Sequence, residues 1–311
     1  MSEIESIENT IILGTGPAGL AAAIYAARAE LKPLVLTGTE LGGQAALTDR
    51  IENYPGFPDG VSGSELAELF QKNAERFGAR IEYGAAISVD FSAPPFLIKT
   101  FDHNYRTNSV IITTGASPNK LNIPGENIFR GKGVSYCATC DGWFFKEKNV
   151  AVIGGGDSAL EESLFLTRFA NSVQIVHRRD KLRGGALLQK RAKENAKIQF
   201  VWDSVVEEIK GKDAVECVQI KNLKNNLISE LCVDGIFIFI GHSPNSEIFK
   251  GYLNLDENRY IVVNERMQTS VEGVFAAGEV ADPRYRQVIT SAGMGAAAAI
   301  EAIRYLESQK K

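Results

Sequence analysis

The sequence predicts an α/β protein of two Rossmann-like, three-layer units, the second inserted into the first. Three observations predict it. A glycine fingerprint, Gly14-Thr15-Gly16-Pro17-Ala18-Gly19, follows a short apolar run and opens an alanine-rich segment. The same arrangement returns 140 residues later as Gly154-Gly155-Gly156-Asp157-Ser158-Ala159. A last apolar run at 274–276 and a small-residue helix pattern after it return to complete the first unit.

Taken in order, residues 9–13 read as a strand, 18–29 as a helix and 33–37 as a second strand. That is the strand, tight turn, helix, strand unit of a dinucleotide fold. Residues 64–77 have amphipathic spacing and a helix start at Ser64. Weak strands follow at 81–83, 87–91 and 96–100, and an apolar one at 109–113. The second unit repeats the pattern with a strand at 149–153, a helix over 157–170 and a strand at 173–176. Segments 198–202, 205–209, 214–221 and 227–232 read as antiparallel strands, and 236–240 as a buried one. Strands at 260–263 and 274–276 precede a helix from Ser291 to about Ser308. Turn residues cluster at 116–118 and 242–245. The expected domains are therefore 1–116 with 245–311, binding one dinucleotide, and 117–244, binding another.

The 311 residues are 44% hydrophobic and carry a net charge of −4. This is a globular composition with no basic surface for nucleic acid. No apolar run reaches the ~18 residues of a membrane helix. Met1-Ser2-Glu3-Ile4-Glu5 lacks the basic and apolar regions of an export signal, so a cytosolic location is expected. Of four cysteines, Cys137 and Cys140 share one short loop. In a reducing compartment such a pair is catalytic rather than structural. Cys217 and Cys232 read as buried small hydrophobes. They are too far apart in sequence to complete a zinc site with the first pair, so no metal is expected.

In the first fingerprint each glycine does separate work. Gly14 makes the tight turn, Gly16 admits the pyrophosphate, and Gly19 packs helix on strand. Glu40 is the acid nearest the place for a ribose hydroxyl; a solvated loop acid is the other reading of it. Gly42-Gly43-Gln44 reads as backbone lying against a large planar ligand. Near the end of the chain, Gly278-Glu279 closes a buried strand and Arg286-Gln287 precedes a helix whose start can stabilise charge on a reduced flavin. In the second unit, His177-Arg178-Arg179 and Arg183 stand where an acid would select a free ribose hydroxyl. Arginines there pair with a 2′-phosphate, which selects NADPH. Two nucleotide sites and one dithiol describe an electron relay. Asp141, next to Cys140, serves as proton donor or acceptor, or as a turn former with Gly142. Trp143, Phe144 and Phe145 are expected to pack around the dithiol loop.

With these residues in view the chain resembles the low-molecular-weight thioredoxin reductases over almost its whole length. The resemblance rests on Ser135-Tyr136-Cys137-Ala138-Thr139-Cys140-Asp141-Gly142, Glu52-Asn53-Tyr54-Pro55-Gly56-Phe57, the stretch from Gly154 to Glu162, and Tyr285-Arg286-Gln287. It implies a homodimeric, cytosolic flavoenzyme that moves electrons from NADPH through FAD to thioredoxin. It implies that Gly14, Gly16, Gly19, Thr37, Glu40, Gly42, Gly43, Gln44, Asn53, Gly278, Glu279, Arg286 and Gln287 surround FAD. Gly154, Gly156, Ser158, His177, Arg178, Arg179 and Arg183 would hold NADPH. Cys140 would lie nearest the flavin, Cys137 would attack thioredoxin, and Asp141 would handle the proton. It also implies rotation of the inserted domain, with hinges expected at 115–118 and 241–245. Glu279 departs from the family, which usually has Asp there. Another dithiol acceptor, or oxygen, is left open by the residues alone.

Overall fold

The computed structural model describes residues 7–48 and 50–310. By chain contacts it divides into two compact units, Met1–Ser117 with Ser243–Lys311, and Pro118–His242.

The first unit opens with β1 (Ile7–Leu13), α1 (Pro17–Arg28), β2 (Leu34–Leu36), the one-turn α2 (Gly43–Ala46), α3 (Gly63–Arg76) and β3 (Arg80–Glu82). Then come β4 (Ser88–Asp90), β5 (Phe96–Lys99), β6 (Asn104–Ile112) and the outgoing connection β7 (Ala116–Pro118). The second unit contains β8 (Val134–Ser135), α4 (Ala138–Asp141), β9 (Asn149–Gly154), α5 (Asp157–Leu166), β10 (Ser172–Val176), α6 (Ala186–Glu194) and β11 (Ile198–Val201). It continues with β12 (Ser204–Gly211), β13 (Val215–Asn222), β14 (Ile228–Cys232) and β15 (Gly235–Phe239). The chain returns through β16 (His242–Pro244) and ends with β17 (Val274–Ala276) and α7 (Val288–Ser308).

In the first unit β3, β2, β1, β6 and β17 lie parallel in that order. Ile11, Ile12, Val110 and Ile111 are buried on both faces, as a parallel sheet between two layers requires. One face is covered by α1 and α7 through Ala22, Ala23 and Ala26 against Ala298, Ala299 and Ala302. Small side chains let the two helices touch backbone to backbone: a Cβ on Gly295 would stand 1.9 Å from the Ala18 carbonyl oxygen. Phe91, Phe96, Phe249 and Ile261 cover the other face.

The second unit has a five-stranded parallel sheet ordered β11-β10-β9-β15-β8. Leu160, Leu166 and Phe145 pack on one side. The antiparallel sheet β12-β13-β14 packs on the other through Val206, Ile209, Val218 and Ile220. Antiparallel β5 and β4 extend the first sheet beyond β6. Two sheets built on parallel strands, each with the strand that leads into its glycine loop near the middle, bear out the Rossmann-like, three-layer α/β class.

Four expectations need correction. Segment 198–202 is not antiparallel: β11 pairs parallel with β10, because α6 intervenes and provides the crossover. α3 is capped by Ser62, whose Oγ accepts from Glu65 N–H at 3.1 Å, rather than by Ser64. α7 begins at Val288, three residues before Ser291. Residues 260–263 form no strand; Ile261 makes a single bridge with Leu255 and donates its N–H to the Val280 carbonyl.

Candidate active site and dinucleotide cradles

Cys137 and Cys140 are joined in a disulfide, with Cα atoms 5.3 Å apart. The cause is local: Cys137 is the N-cap of α4, and one helical turn brings Cys140 back over it. The Cys140 N–H donates to Cys137 Sγ at 3.2 Å, so backbone polarity already favours negative charge on that sulfur.

Asp141 ends α4 and is held from β8. The Ser135 hydroxyl donates to Asp141 Oδ2 at 2.6 Å and accepts the Cys137 N–H at 3.1 Å. One buried hydroxyl thus ties the carboxylate to the dithiol. The sequence alone assigns Ser135 no chemistry; its signals are its place two residues before the first thiol and at the head of the motif that carries the resemblance. Glu126, fully buried, is a second residue that the sequence does not single out. It accepts from the Tyr136 hydroxyl at 2.7 Å and from the N–H groups of Leu121 and Asn122. Burial first, and the Glu126 contact second, raise the Tyr136 phenol, which therefore stays protonated. The three aromatics after the dithiol do not act together: Phe145 is buried against Phe237, whereas Trp143 and Phe144 are exposed.

The first glycine loop is built by close approach. Gly14 has φ +112°, and a Cβ there would stand 2.5 Å from the Thr113 carbonyl oxygen. A Cβ on Gly19 would fall 1.8 Å from the Gly14 carbonyl oxygen. Gly16 differs: it N-caps α1 without a side-chain cap, and a Cβ there would meet nothing within 4 Å. A helix end with unclaimed N–H groups beneath open space is the cradle a pyrophosphate fits.

Other expected residues of the first unit reach this loop in different ways. Gly43 lies against it, since a Cβ there would be 3.2 Å from Gly16 Cα. Gly42 is pressed instead against Ala67 and Ala46, so α3 accounts for that glycine. Thr37 is buried, and its hydroxyl accepts from Gly84 N–H at 3.2 Å, which fastens β2 to the chain after β3. Thr15 Oγ1 donates to the Thr37 carbonyl and accepts from Gly42 N–H, each at 3.2 Å. Glu40 and Gln44 are exposed. Gly278 stands between the starts of α1 and α7, its built Cβ 3.0 Å from Ala18 Cβ and 3.6 Å from Ser291 Oγ. Asn53 Nδ2 donates to Gln287 Oε1 at 3.0 Å and joins segments 234 residues apart. Burial pushes the Glu279 carboxyl up to about 7; Arg286 nearby pulls it down and Asp282 adds to the rise.

The second loop repeats the design. Gly156 N-caps α5 with no side-chain cap and open space over it, and a Cβ on Gly154 would collide with Ala159 and Phe239. Ser158 is exposed in the first turn. Arg183 is brought to the loop by its backbone, its N–H donating to the Gly155 carbonyl at 2.6 Å. Asp157 Oδ1 accepts from Gly185 N–H, also at 2.6 Å. Arg178 and Arg179 are exposed. His177 is buried beneath the loop: a Cβ on Gly155 would strike its ring at 2.4 Å, and Nε2 meets the Lys181 carbonyl at 3.0 Å. Burial lowers its pKa, so the ring is neutral and supports the loop from below.

Cys217 and Cys232 are not the buried hydrophobes expected. Cys217 is half-buried and Cys232 exposed, and they face each other across β13 and β14.

Among the described residues no helix is long and apolar enough to cross a membrane. The chain is 48% identical to a thioredoxin reductase of Streptomyces coelicolor, over 97% of this chain and 95% of that one. It is 47% identical to one of Coxiella burnetii, over 96% of each. The crystal structure of thioredoxin reductase from Streptococcus pyogenes superimposes with a TM-score of 0.93 at 42% identity, over 98% of this chain and 99% of that one. The model of the pyridine nucleotide-disulphide oxidoreductase family matches residues 8–295. A dithiol on a helical turn, two open glycine cradles and these likenesses lead to one conclusion: the chain belongs to the pyridine nucleotide-disulphide oxidoreductase family.

Proposed function

We propose that this chain is an NADPH-dependent thioredoxin-disulfide reductase that uses FAD. The observation that carries the reading is the Cys137–Cys140 disulfide, with Asp141 held beside it by Ser135. The named relatives support thioredoxin as the protein substrate.

The first unit, 1–116 with 245–311, is assigned to FAD. Gly14, Gly16 and Gly19 form the pyrophosphate turn, and Thr37, Glu40, Gly42, Gly43, Gln44, Asn53, Gly278, Glu279, Arg286 and Gln287 surround it. The inserted unit, 117–244, is assigned to NADPH. Gly154, Gly156 and Ser158 take its pyrophosphate; Arg178, Arg179 and Arg183 take the 2′-phosphate, with His177 supporting the loop. The open space over Gly16 and Gly156 supports both assignments. Bound FAD supplies a two-electron carrier between the nicotinamide and the dithiol.

Starting from the reduced pair, the Cys137 thiolate attacks one sulfur of the thioredoxin disulfide, and the other sulfur leaves as thiolate. Cys140 then loses its proton and attacks Cys137 Sγ, which restores the Cys137–Cys140 disulfide and releases dithiol thioredoxin. The N–H of Cys140 favours charge on Cys137, and the Asp141 carboxyl gives and takes the exchanged proton. The connections at 115–118 and 241–245 would serve as hinges on which the inserted domain presents first its nucleotide and then its dithiol to the cofactor of the first unit. The protein works as a cytoplasmic homodimer.

The test is NADPH oxidation with purified oxidised thioredoxin, native chain against Cys137→Ser. Native turnover with loss of activity in the variant supports the reading; equal activity in the two ends it.

A further inference from the structure

The outward face of the three-stranded sheet carries two thiols that no step above uses. Cys217 of β13 and Cys232 of the edge strand β14 are direct partners in register. The ladder around them fixes the type of pair. Val233 N–H donates to the Glu216 carbonyl at 3.1 Å, and Asn222 N–H to the Leu227 carbonyl at 2.9 Å. Hydrogen-bonded and non-hydrogen-bonded pairs alternate along an antiparallel ladder. Glu216 and Val233 form a hydrogen-bonded pair, so Cys217 and Cys232, one step along, form a non-hydrogen-bonded one. Such pairs bring Cα atoms to ~4.5 Å with the side chains at their closest. That separation lies within the ~4.4 to 6.8 Å that a disulfide spans.

Accessibility fits the same reading. Val218 and Ile220 alternate with Cys217 and face the core, which leaves both thiols on the outer face. Cys232 is exposed and Cys217 half-buried. Lys210, opposite Cys217 on β12, pairs with Glu230 at 3.0 Å and borders the thiols. Burial, reinforced by Glu230, raises the Cys217 thiol, so Cys232 is the better placed to react first. Among the described residues no third ligand gathers here to hold a metal.

We propose that Cys217 and Cys232 are a second reversible dithiol–disulfide site, oxidised by low-molecular-weight disulfides. The Cys232 thiolate attacks a disulfide RSSR, forms Cys232–S–S–R and expels RS⁻. Cys217 then loses its proton to water and attacks Cys232 Sγ. The Cys217–Cys232 bond forms and the second RS⁻ leaves. Two protein thiols are oxidised and one RSSR is reduced to two thiols. Closing the bond staples the edge strand β14 to β13 without involving Cys137 or Cys140.

The test uses fully reduced holoenzyme, freed of reductant and NADPH, exposed to glutathione disulfide. Free thiols are alkylated and the protein is digested without reduction. The expected product is a peptide pair linked through Cys217 and Cys232, lost on treatment with dithiothreitol. Cys217→Ser should replace the link by a lasting glutathione adduct on Cys232. Oxidation of Cys137–Cys140 in the same sample is the internal control. With that control oxidised, alkylation of both Cys217 and Cys232, separate adducts on each, or links only between chains would each overturn the proposal.

Discussion

The Ser135 hydroxyl reaches Asp141 Oδ2 at 2.6 Å while accepting the N–H of Cys137. A single oxygen therefore couples the carboxylate to the backbone of the first thiol. Ser135→Ala removes both bonds. A hydrogen bond to a charged group contributes roughly 1.5 to 3 kcal/mol, so thioredoxin reduction should fall about tenfold to a hundredfold. Reduction of an artificial one-electron acceptor by NADPH, which bypasses the dithiol, should be unchanged. Equal losses in both assays would show that Ser135 serves the fold alone.

The glycines of the first loop divide by what a methyl group would meet. Gly19→Ala places Cβ on the Gly14 carbonyl and should lower thermal stability severely, by several kcal/mol. Gly16→Val enters open space and strains no backbone, since φ is −63°. It should fold and emerge colourless. Absorbance of bound flavin and a melting curve on each variant decide the matter.

Glu279 makes the cofactor-free protein pH-sensitive. Its folded carboxyl holds a proton up to about pH 7, against 4.5 for a free one, because it is buried. The raised value means that its contribution to stability is fullest below pH 4.5 and is lost as pH rises through about 7. At ~1.4 kcal/mol per unit, the whole span is on the order of 3 kcal/mol. Glu279→Gln should flatten that slope and be the more stable protein above pH 7. Parallel denaturation curves for the two proteins at every pH would contradict this.

Arg178, Arg179 and Arg183 are exposed around the second loop. Each guanidinium that pairs with a 2′-phosphate should contribute about tenfold to a hundredfold in preference for NADPH over NADH. Single alanine variants should raise KM for NADPH and leave KM for NADH unchanged. An unaltered ratio in all three would place the phosphate elsewhere.

Gly115 and Gly241 flank the two connections with φ of +66° and +106°. A Cβ on Gly115 would meet nothing within 4 Å, so Gly115→Ala acts on backbone freedom alone, at a cost of about 1 kcal/mol. Turnover should slow while flavin content and the KM for NADPH hold. A variant with native kcat would remove this hinge.

Much of this architecture was legible because glycine spacing is local. In the turn at Gly14–Gly19 and its repeat at Gly154–Ala159 the contacts of Gly19 with Gly14 and of Gly154 with Ala159 lie within the motif, so the sequence displays them, whereas those of Gly14 with Thr113 and of Gly154 with Phe239 do not. The direction of β11 was hidden, because apolar residues at 198–201 read alike whether the neighbouring strand runs parallel or not. Only α6, which the pattern did not announce, decides it. Ser62 and Ser64 offer the same hydroxyl, and the backbone entering α3 chooses between them. The contact of Asn53 with Gln287 depends on chain 234 residues away, beyond any local pattern. Cys217 and Cys232 looked inert because spacing along a strand does not reveal what lies across it.

The meeting of Gly295 with the Ala18 carbonyl sets an order of assembly during synthesis. The first sheet lacks β17, and α1 lacks its neighbouring helix, until the ribosome has delivered residues 274–308. The inserted unit is whole once His242 is made, before β17 begins and well before α7 is finished. The nascent chain thus carries a finished middle while its opening segment waits, with an alanine-rich helix still open to chaperones.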